Sequence, residues 1–256
     1  MLSACAHNRI TSTAAPGLPD AAKPGDPVQI RESEDASETV ETKIERPYKS
    51  PMGDIALDDN KHVQMWLNYF QGRGRRYMRV YLQRSTRYLP MMKNVLRDNG
   101  LPEELVYISL IESGFSPLAH SRANAVGYWQ FIRATGRRYG LHVDGFIDER
   151  RDPVLSTRAA AEYFKELYGM FGSWHLAMAS YNAGENRVKR AVMKNYTRDF
   201  WELIAKRKSL HAETKQYVPK FIAATMIAKD PAKYGFTDIQ FDDPLSYDTV
   251  ALTNPI

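Results

Sequence analysis

The run LPEELVYISLIES, residues 101 to 113, constrains the fold of this chain more than any other segment. Pro102 suits the first position of a helix, and Glu103 and Glu104 complement the partial positive charge at a helix N-terminus. Across Leu105, Val106, Tyr107, Ile108, Leu110 and Ile111 almost no polar face is left. A helix apolar on every side has to be enclosed, so the rest of the chain must supply the elements that enclose it.

Those elements read as further helices. Val63, Trp66, Leu67 and Phe70 fall at i, i+3, i+4 and i+7, one stripe of a helix. Tyr77, Val80, Tyr81, Tyr88, Leu89, Met92 and Val95 predict a second helix, stopped by Asp98-Asn99-Gly100 because glycine readily turns left-handed past a helix end. Asp152-Pro153 predicts an N-cap and first helical position, opening an Ala-rich helix over about 153 to 168. Ser173 caps the next, which Gly184 ends, and residues 213 to 230 predict another, bent at Pro219 and stopped before Pro231. No stretch shows sustained strand alternation and no internal repeat is present, so the expected fold is mostly α.

Composition bounds the rest. With 43% hydrophobic and 25% charged residues the chain has a globular make-up, and no run approaches the roughly 18 apolar residues of a membrane span. Cys5 is the only cysteine, which excludes an internal disulfide and a cysteine metal cluster. Leu2-Ser3-Ala4-Cys5 resembles the bacterial lipobox, whose cysteine is lipidated; the alternative is an incidental thiol. No basic and apolar leader precedes it, as expected of a clipped or misassigned start. Residues 6 to 45 lack aromatics and hold Pro16, Pro19, Pro24 and Pro27, the composition of a disordered tether. They carry four Lys/Arg against eight Asp/Glu, so of the formal +5 for the whole chain the remainder carries +9. Such a body is drawn to a polyanion or an anionic surface, whether nucleic acid, lipid or wall polymer. No nucleic-acid motif accompanies the basicity, so no nucleic-acid partner is expected. His120, His142, His175 and His211 show no metal-ligand spacing, so no metal is expected either. GRGRRYMR, residues 72 to 79, is open between a contact with anionic polymer or headgroups and ordinary solvated charge, while DERRDP, residues 148 to 153, reads as a structural ion-pair and capping network.

Glu112 follows Ile108 by four and Leu105 by seven, which places a carboxylate on the apolar stripe just before Gly114. Burial raises a carboxyl pKa, and the negative end of the helix pushes the same way. A carboxyl kept protonated near neutral pH is what a general acid requires; a buried ion pair with Arg or Lys is the structural alternative. NAVGYWQF, residues 124 to 131, combines a glycine turn, two aromatics and the Gln130 amide, a mixture suited to a sugar groove or to a turn followed by core aromatics. ASYNAG, residues 179 to 184, brings a phenol, Tyr181, and an amide, Asn182, to a helix end.

Together, in this order and spacing, the three segments resemble the lytic transglycosylases of bacterial cell walls. Glu112-Ser113 matches that family's Glu-Ser pair at the end of a buried helix. Gly127-Tyr128-Trp129-Gln130 matches its Gly-Leu-Met-Gln type segment fifteen residues on, and Ser180-Tyr181-Asn182-Ala183-Gly184 its Ala-Tyr-Asn-Ala-Gly segment. DERRDP, STRAAAEYF (156 to 164), DFWEL (199 to 203) and ETKQYVPK (213 to 220) look like the membrane-bound type D branch, over roughly residues 47 to 236. Tyr128-Trp129 in place of Leu-Met and Ser180 in place of Ala depart from the pattern. The LysM wall-binding repeats that often follow in this branch have no counterpart up to Ile256, so either this member lacks them or the sequence is clipped.

The resemblance implies a lysozyme-like (goose-type, SLT) catalytic domain with a helical N-terminal lead-in. The expected organisation is a lipobox-like start and tether over 1 to 46, the lead-in over 47 to 98, the catalytic domain over 99 to 236 and a tail over 237 to 256. It implies non-hydrolytic cleavage of the β-1,4 bond between N-acetylmuramic acid and N-acetylglucosamine in peptidoglycan glycan strands, without a cofactor. Glu112 is then the acid and afterwards the base, Tyr181 hydrogen-bonds and positions it, and Ser121 places a hydroxyl near the acetamido group. Ser113, Gly127, Tyr128, Trp129, Gln130 and Asn182 are the implied substrate-binding residues, with Tyr128 and Trp129 as packing or stacking surfaces. Members are commonly lipoproteins, which implies a lipid anchor on Cys5 and a periplasmic location at the outer membrane. A lysozyme-type hydrolase with a distant second carboxylate and a non-catalytic wall-binding protein are the rival readings.

Overall fold

The computed structural model describes residues 48–246; Cys5 and the expected tether lie outside the described residues. The helices are α1 (Lys61–Gln71), α2 (Arg75–Asp98), α3 (Tyr107–Ser113), α4 (Arg133–Arg138), α5 (Pro153–Phe171), α6 (Trp174–Ala183), α7 (Glu185–Asn195), α8 (Phe200–Ala205) and α9 (Ala212–Lys229). Among the described residues β structure is confined to isolated bridges, such as His120 with Val126 and Val126 with Phe131.

The apolar run forms the expected central helix, with one change. Glu103–Val106 make a 3₁₀ turn after Pro102, and the α-helix starts at Tyr107. Leu105, Val106, Ile108 and Leu110 are fully buried. Gly114 closes α3 in the left-handed conformation, and a Cβ there would meet the Tyr81 ring at 2.1 Å, so only glycine fits.

The caps expected at Asp152 and Ser173 form, and Asn60 adds one that was not expected. The Asn60 side chain accepts from the His62 and Val63 amides at the start of α1, Asp152 accepts from Val154 and Leu155 at α5, and Ser173 from Leu176 at α6. The α5 helix runs to Phe171, past the expected 168, and ends at Gly172 with φ +63°. Three short helices, α4, α7 and α8, were not expected. The α2 stripe also differs: Met78, Leu82, Ser85, Met92 and Leu96 are buried, whereas Tyr77 is 62% exposed and Val80 also faces solvent. The buried set repeats at alternating steps of four and three around the half-buried Leu89, and the smaller hydrophobes outcompete the bulkier Tyr77 for the inner face.

A second helix is enclosed almost completely. The α9 helix buries Val218, Phe221, Ile222, Ala224 and Ile227 and packs against α1, α3 and α6. It continues through Pro219, whose missing N–H leaves the Lys215 carbonyl without its helical donor. On the other side α5 packs between α2 and α6. Residues 235 to 245 run along α2: Asp238 pairs with Arg79 at 3.3 Å, Asp242 N–H donates to Thr86 Oγ1 at 2.9 Å and Leu245 N–H to the Arg87 carbonyl at 2.8 Å.

The connection from α3 to α5 has little helix of its own and is held by one buried cation. Arg150 pairs with Asp148 at 2.8 Å and donates Nη1 to the carbonyls of Asn124 and Phe131, each at 3.0 Å. DERRDP is thus the ion-pair and capping network that its composition suggested. Gly127, at φ +78°, lies so close to the Arg150 carbonyl that a Cβ would stand 1.9 Å from that oxygen. Gly127→Ala is expected to lower unfolding stability by at least about 2 kcal/mol, because both the dihedral and the backbone contact oppose it. Urea denaturation against the parent measures this.

Candidate active site

Glu112 occupies the last turn of α3 and lines a cleft of about 860 Å³. Its carboxyl is deep in the protein while keeping one face to that cleft. Burial holds its pKa above the ordinary value, opposed by a hydrogen bond from Tyr217 and the charge of Lys220, and reinforced by Glu213. Tyr217 O–H donates to Glu112 Oε1 at 2.6 Å. Lys220 Nζ donates to the Ile111 carbonyl at 3.1 Å, and burial pulls its own pKa down. Glu213, Tyr217 and Lys220 lie at i, i+4 and i+7 of α9, so a single helix face acts on Glu112.

This corrects the role expected of Tyr181. The Tyr181 hydroxyl donates to the Trp129 carbonyl at 2.5 Å, and it is Tyr217 that holds Glu112. The Tyr181 ring stacks on Phe164 at 4.8 Å and lines the cleft beside Tyr163 and Phe131. Its pKa stands well above the usual phenol value, through burial first and the Glu112 charge second. Tyr217 escaped sequence reading although ETKQYVPK was singled out, because nothing within that segment shows which helix its tyrosine meets.

Of the two roles left open for Tyr128 and Trp129, packing or stacking, their burial favours packing over contact with substrate. Tyr128 is 2% exposed and packs edge-on against Tyr88, while Trp129 is fully buried and donates Nε1 to Thr157 Oγ1 at 3.0 Å. Both rings are too apolar to leave the core when α2 and α5 offer them partners, so packing is their role. Ser113 and Gly127 likewise shape the site from behind. Ser113 Oγ lies 2.8 Å from the Tyr128 carbonyl and 3.0 Å from that of Ser109, tying the end of α3 to the loop that Gly127 turns.

The remaining expected residues do line the cleft, and their free valences can be counted. Ser121 Oγ accepts from the amides of Ala123 and Ala125, at 3.2 and 3.1 Å, leaving its hydrogen to donate. Gln130, at φ +51°, donates Nε2 to the carbonyls of Gly127 and Ala119, leaving its amide oxygen to accept. Asn182 Oδ1 accepts from Thr214 Oγ1 at 2.9 Å, leaving its NH₂ to donate. The cleft therefore presents two donors and an acceptor around one acid, with Phe131, Ile132, Tyr163 and Tyr181 as apolar walls. That combination suits a ligand with hydroxyl and amide groups. Glu185 on the same wall is engaged by Arg138 at 3.4 Å and Tyr163 at 3.2 Å, whereas Glu213 has no such partner. Among the described residues no group of His, Cys, Asp and Glu is arranged to hold a metal ion.

The sequence profile of the Transglycosylase SLT domain matches residues 90–204. Residues 190 or so in length are also shared with the membrane-bound lytic murein transglycosylase D of Escherichia coli K12, at 39% identity over 189 residues. By the profile match residues 90–204 are a transglycosylase SLT domain. The match to transglycosylase D covers 72% of this chain and 41% of the relative. The peptidoglycan transglycosylase gp16 of Escherichia phage T7 is 36% identical over 103 residues, 39% of this chain and 8% of that protein. The chain thus spans less than half the length of these curated relatives. The 70 kDa soluble lytic transglycosylase of E. coli superposes with a TM-score of 0.51 at 17% identity, over 72% of this chain and 33% of that one, a likeness of fold. The fold is accordingly the lysozyme-like SLT fold. Glu112, Ser121, Gln130, Tyr181 and Asn182 fall inside the matched SLT segment, whereas Glu213, Tyr217 and Lys220 lie beyond it on α9 and complete the site.

The raised Glu112 pKa has a stability consequence. Below the ordinary value of 4.5 the carboxyl is neutral in both folded and unfolded chains and costs nothing. As pH rises through 4.5 toward the higher folded value, the unfolded chain releases its proton first and stability falls, by about 1.4 kcal/mol per unit separating the two states. Glu112→Gln keeps an acceptor for Tyr217 and lacks the titration. Its stability is expected to gain on the parent as pH rises through that window, and thermal unfolding from pH 4 upward checks it.

Proposed function

We propose that the chain is a lytic transglycosylase that cleaves the N-acetylmuramic acid to N-acetylglucosamine β-1,4 bond of peptidoglycan without water, leaving 1,6-anhydromuramoyl ends. The observation that carries this reading is the Glu112 carboxyl in the cleft, whose pKa burial raises, with Tyr217 and Lys220 placed to stabilise its ionised form. Glu112 gives its proton to the glycosidic oxygen, and the C1–O bond breaks with its electron pair on that oxygen. The substrate's own acetamido group stabilises the cationic C1, a substrate-assisted route that needs no second carboxylate. Glu112, now a carboxylate, takes the proton of the muramoyl C6 hydroxyl, whose oxygen closes on C1. The Tyr217 hydrogen bond and the Lys220 charge favour the carboxylate and so support this second half. Ser121, Gln130 and Asn182 bind the sugar amides and hydroxyls, and Tyr181 forms the wall beside the acid.

The names of the relatives, together with the lipobox-like Cys5, support a periplasmic protein anchored to the outer membrane by a lipid. No helix among the described residues is long and apolar enough to cross a membrane.

One observation favours a second reading. Glu213 lines the cleft without a direct salt bridge among the described residues and is the carboxylate that could activate water in a hydrolase. Mass spectrometry of muropeptides released from purified sacculi separates the two. Anhydro products, lighter by one water than reducing-end products, are expected, and reducing ends would make the enzyme a hydrolase. Glu112→Gln is expected to lower release at least about 100-fold. Tyr217→Phe removes the hydrogen bond that lowers the Glu112 pKa, so the alkaline limb of the pH–rate profile is expected to move to higher pH, with kcat down about ten-fold. A profile that stays in place would separate Tyr217 from the titration of Glu112.

A further inference from the structure

Beside the cleft lies a cationic pocket that the mechanism above does not use. Arg187, Lys208, Ser209, Leu210 and His211 line a cavity of about 320 Å³. Arg187, Arg190 and Lys194 fall at i, i+3 and i+7 along α7, all exposed, while Val188 and Ala191 face the core. Lys206, Arg207 and Lys208 are exposed on the facing loop. None of these six side chains has an acidic partner among the described residues. Like charges gathered on two neighbouring segments favour an anion between them.

The pocket and the cleft draw on the same two segments of the chain. Gly184 and Glu185 line the cleft, and α7 begins at Glu185, two residues before Arg187. Glu213 also lines the cleft, and His211 precedes it by two residues at the N-cap of α9. The pocket therefore lies within reach of side branches on a polymer that leaves the cleft past Glu185 and Glu213. A glycan strand of peptidoglycan carries peptides as side branches, and their free carboxylates fit a guanidinium, an ammonium and a hydroxyl in one concavity.

We propose that the pocket formed by Arg187, Lys208, Ser209 and His211 binds the carboxylates of the peptides carried by the glycan strand, making peptide-bearing glycan the preferred substrate. This rests on the glycan-cleaving reading of the cleft and adds the substrate class to it. A concave site on the segments that line the cleft favours the pendant peptide over a bilayer, which would need a flat face.

The test uses the full chain with Glu112→Gln, so that binding is measured without cleavage. Sedimentation with intact sacculi is compared with sedimentation with glycan strands stripped by an amidase, which keep only the lactyl carboxylate next to the sugar. Adding Arg187→Gln and Lys208→Gln together is expected to weaken binding to sacculi about three- to ten-fold, more at low salt, and to leave binding to stripped strands unchanged. Arg73→Gln with Arg76→Gln removes the same charge elsewhere and is expected to change neither; circular dichroism confirms folding of each. Equal loss on both substrates, no loss on either, or the same loss from the Arg73/Arg76 control would overturn the proposal. So would loss confined to vesicles of anionic phospholipid, which would assign the patch to a membrane surface. The cleavage reading is judged separately: if the Glu112 parent releases no muropeptides while the binding difference holds, that reading fails and the peptide pocket stands as a wall-binding site.

Discussion

The hydrogen bond between Tyr217 and Glu112 joins the two helices on which the rest of the molecule is assembled. Both α3 and α9 are enclosed nearly all round; where they meet, α3 brings Glu112 and α9 brings Tyr217 and Lys220. An unpartnered carboxyl at that depth would be costly, and so would an unpartnered phenol. Together they satisfy each other while leaving one face of the carboxyl open to the cleft. The proton affinity of the acid follows from this balance: burial raises it, while Tyr217 and Lys220 draw it back toward ionisation. A group that must first give a proton and then take one is served by that opposition.

The cleft wall opposite α9 is irregular backbone, and irregular backbone near a site has to be held by something. Here a buried guanidinium does so, since Arg150 satisfies the carbonyls of Asn124 and Phe131 and is neutralised by Asp148. Gly127 permits the close approach, and Tyr128 and Trp129 anchor the same segment in the core. Ser121 and Gln130 consequently meet the cleft from a loop whose position depends on core packing. The substitution of Tyr-Trp for Leu-Met thus alters what lies behind the groove, with Tyr88 and Thr157 as the partners of the larger rings.

Charge is distributed with a similar division of labour. The carboxylates of the cleft are Glu112, Glu185 and Glu213, of which Glu185 is spoken for by Arg138 and Tyr163. One group of unpaired cations lies on α7 and the loop before α9, while part of the 72 to 79 basic run is answered by the tail through Arg79 and Asp238. Part of the positive charge of the described residues therefore lies on the segments that follow and precede the cleft-lining residues Glu185 and Glu213, where a polyanionic substrate would meet it.

The sequence by itself determined the local signals: the enclosed helix carrying Glu112, the caps at Asp152 and Ser173, the glycine stops at Gly114 and Gly184, and the helical character of the whole. Each depends on a residue and its near neighbours along the chain, so each is written in spacing and residue type. The three motifs likewise singled out Glu112, Gln130, Tyr181 and Asn182, and the family resemblance added Ser121; all five line the cleft. Only the tertiary structure decided which tyrosine holds the acid, that Tyr128 and Trp129 turn inward, and which stripe of α2 is buried. Those outcomes are competitions between distant side chains for the same space or the same hydrogen bond: Tyr217 reaches Glu112 across 105 positions of sequence. Periodicity records which residues of a helix share a face, and packing alone decides what that face meets.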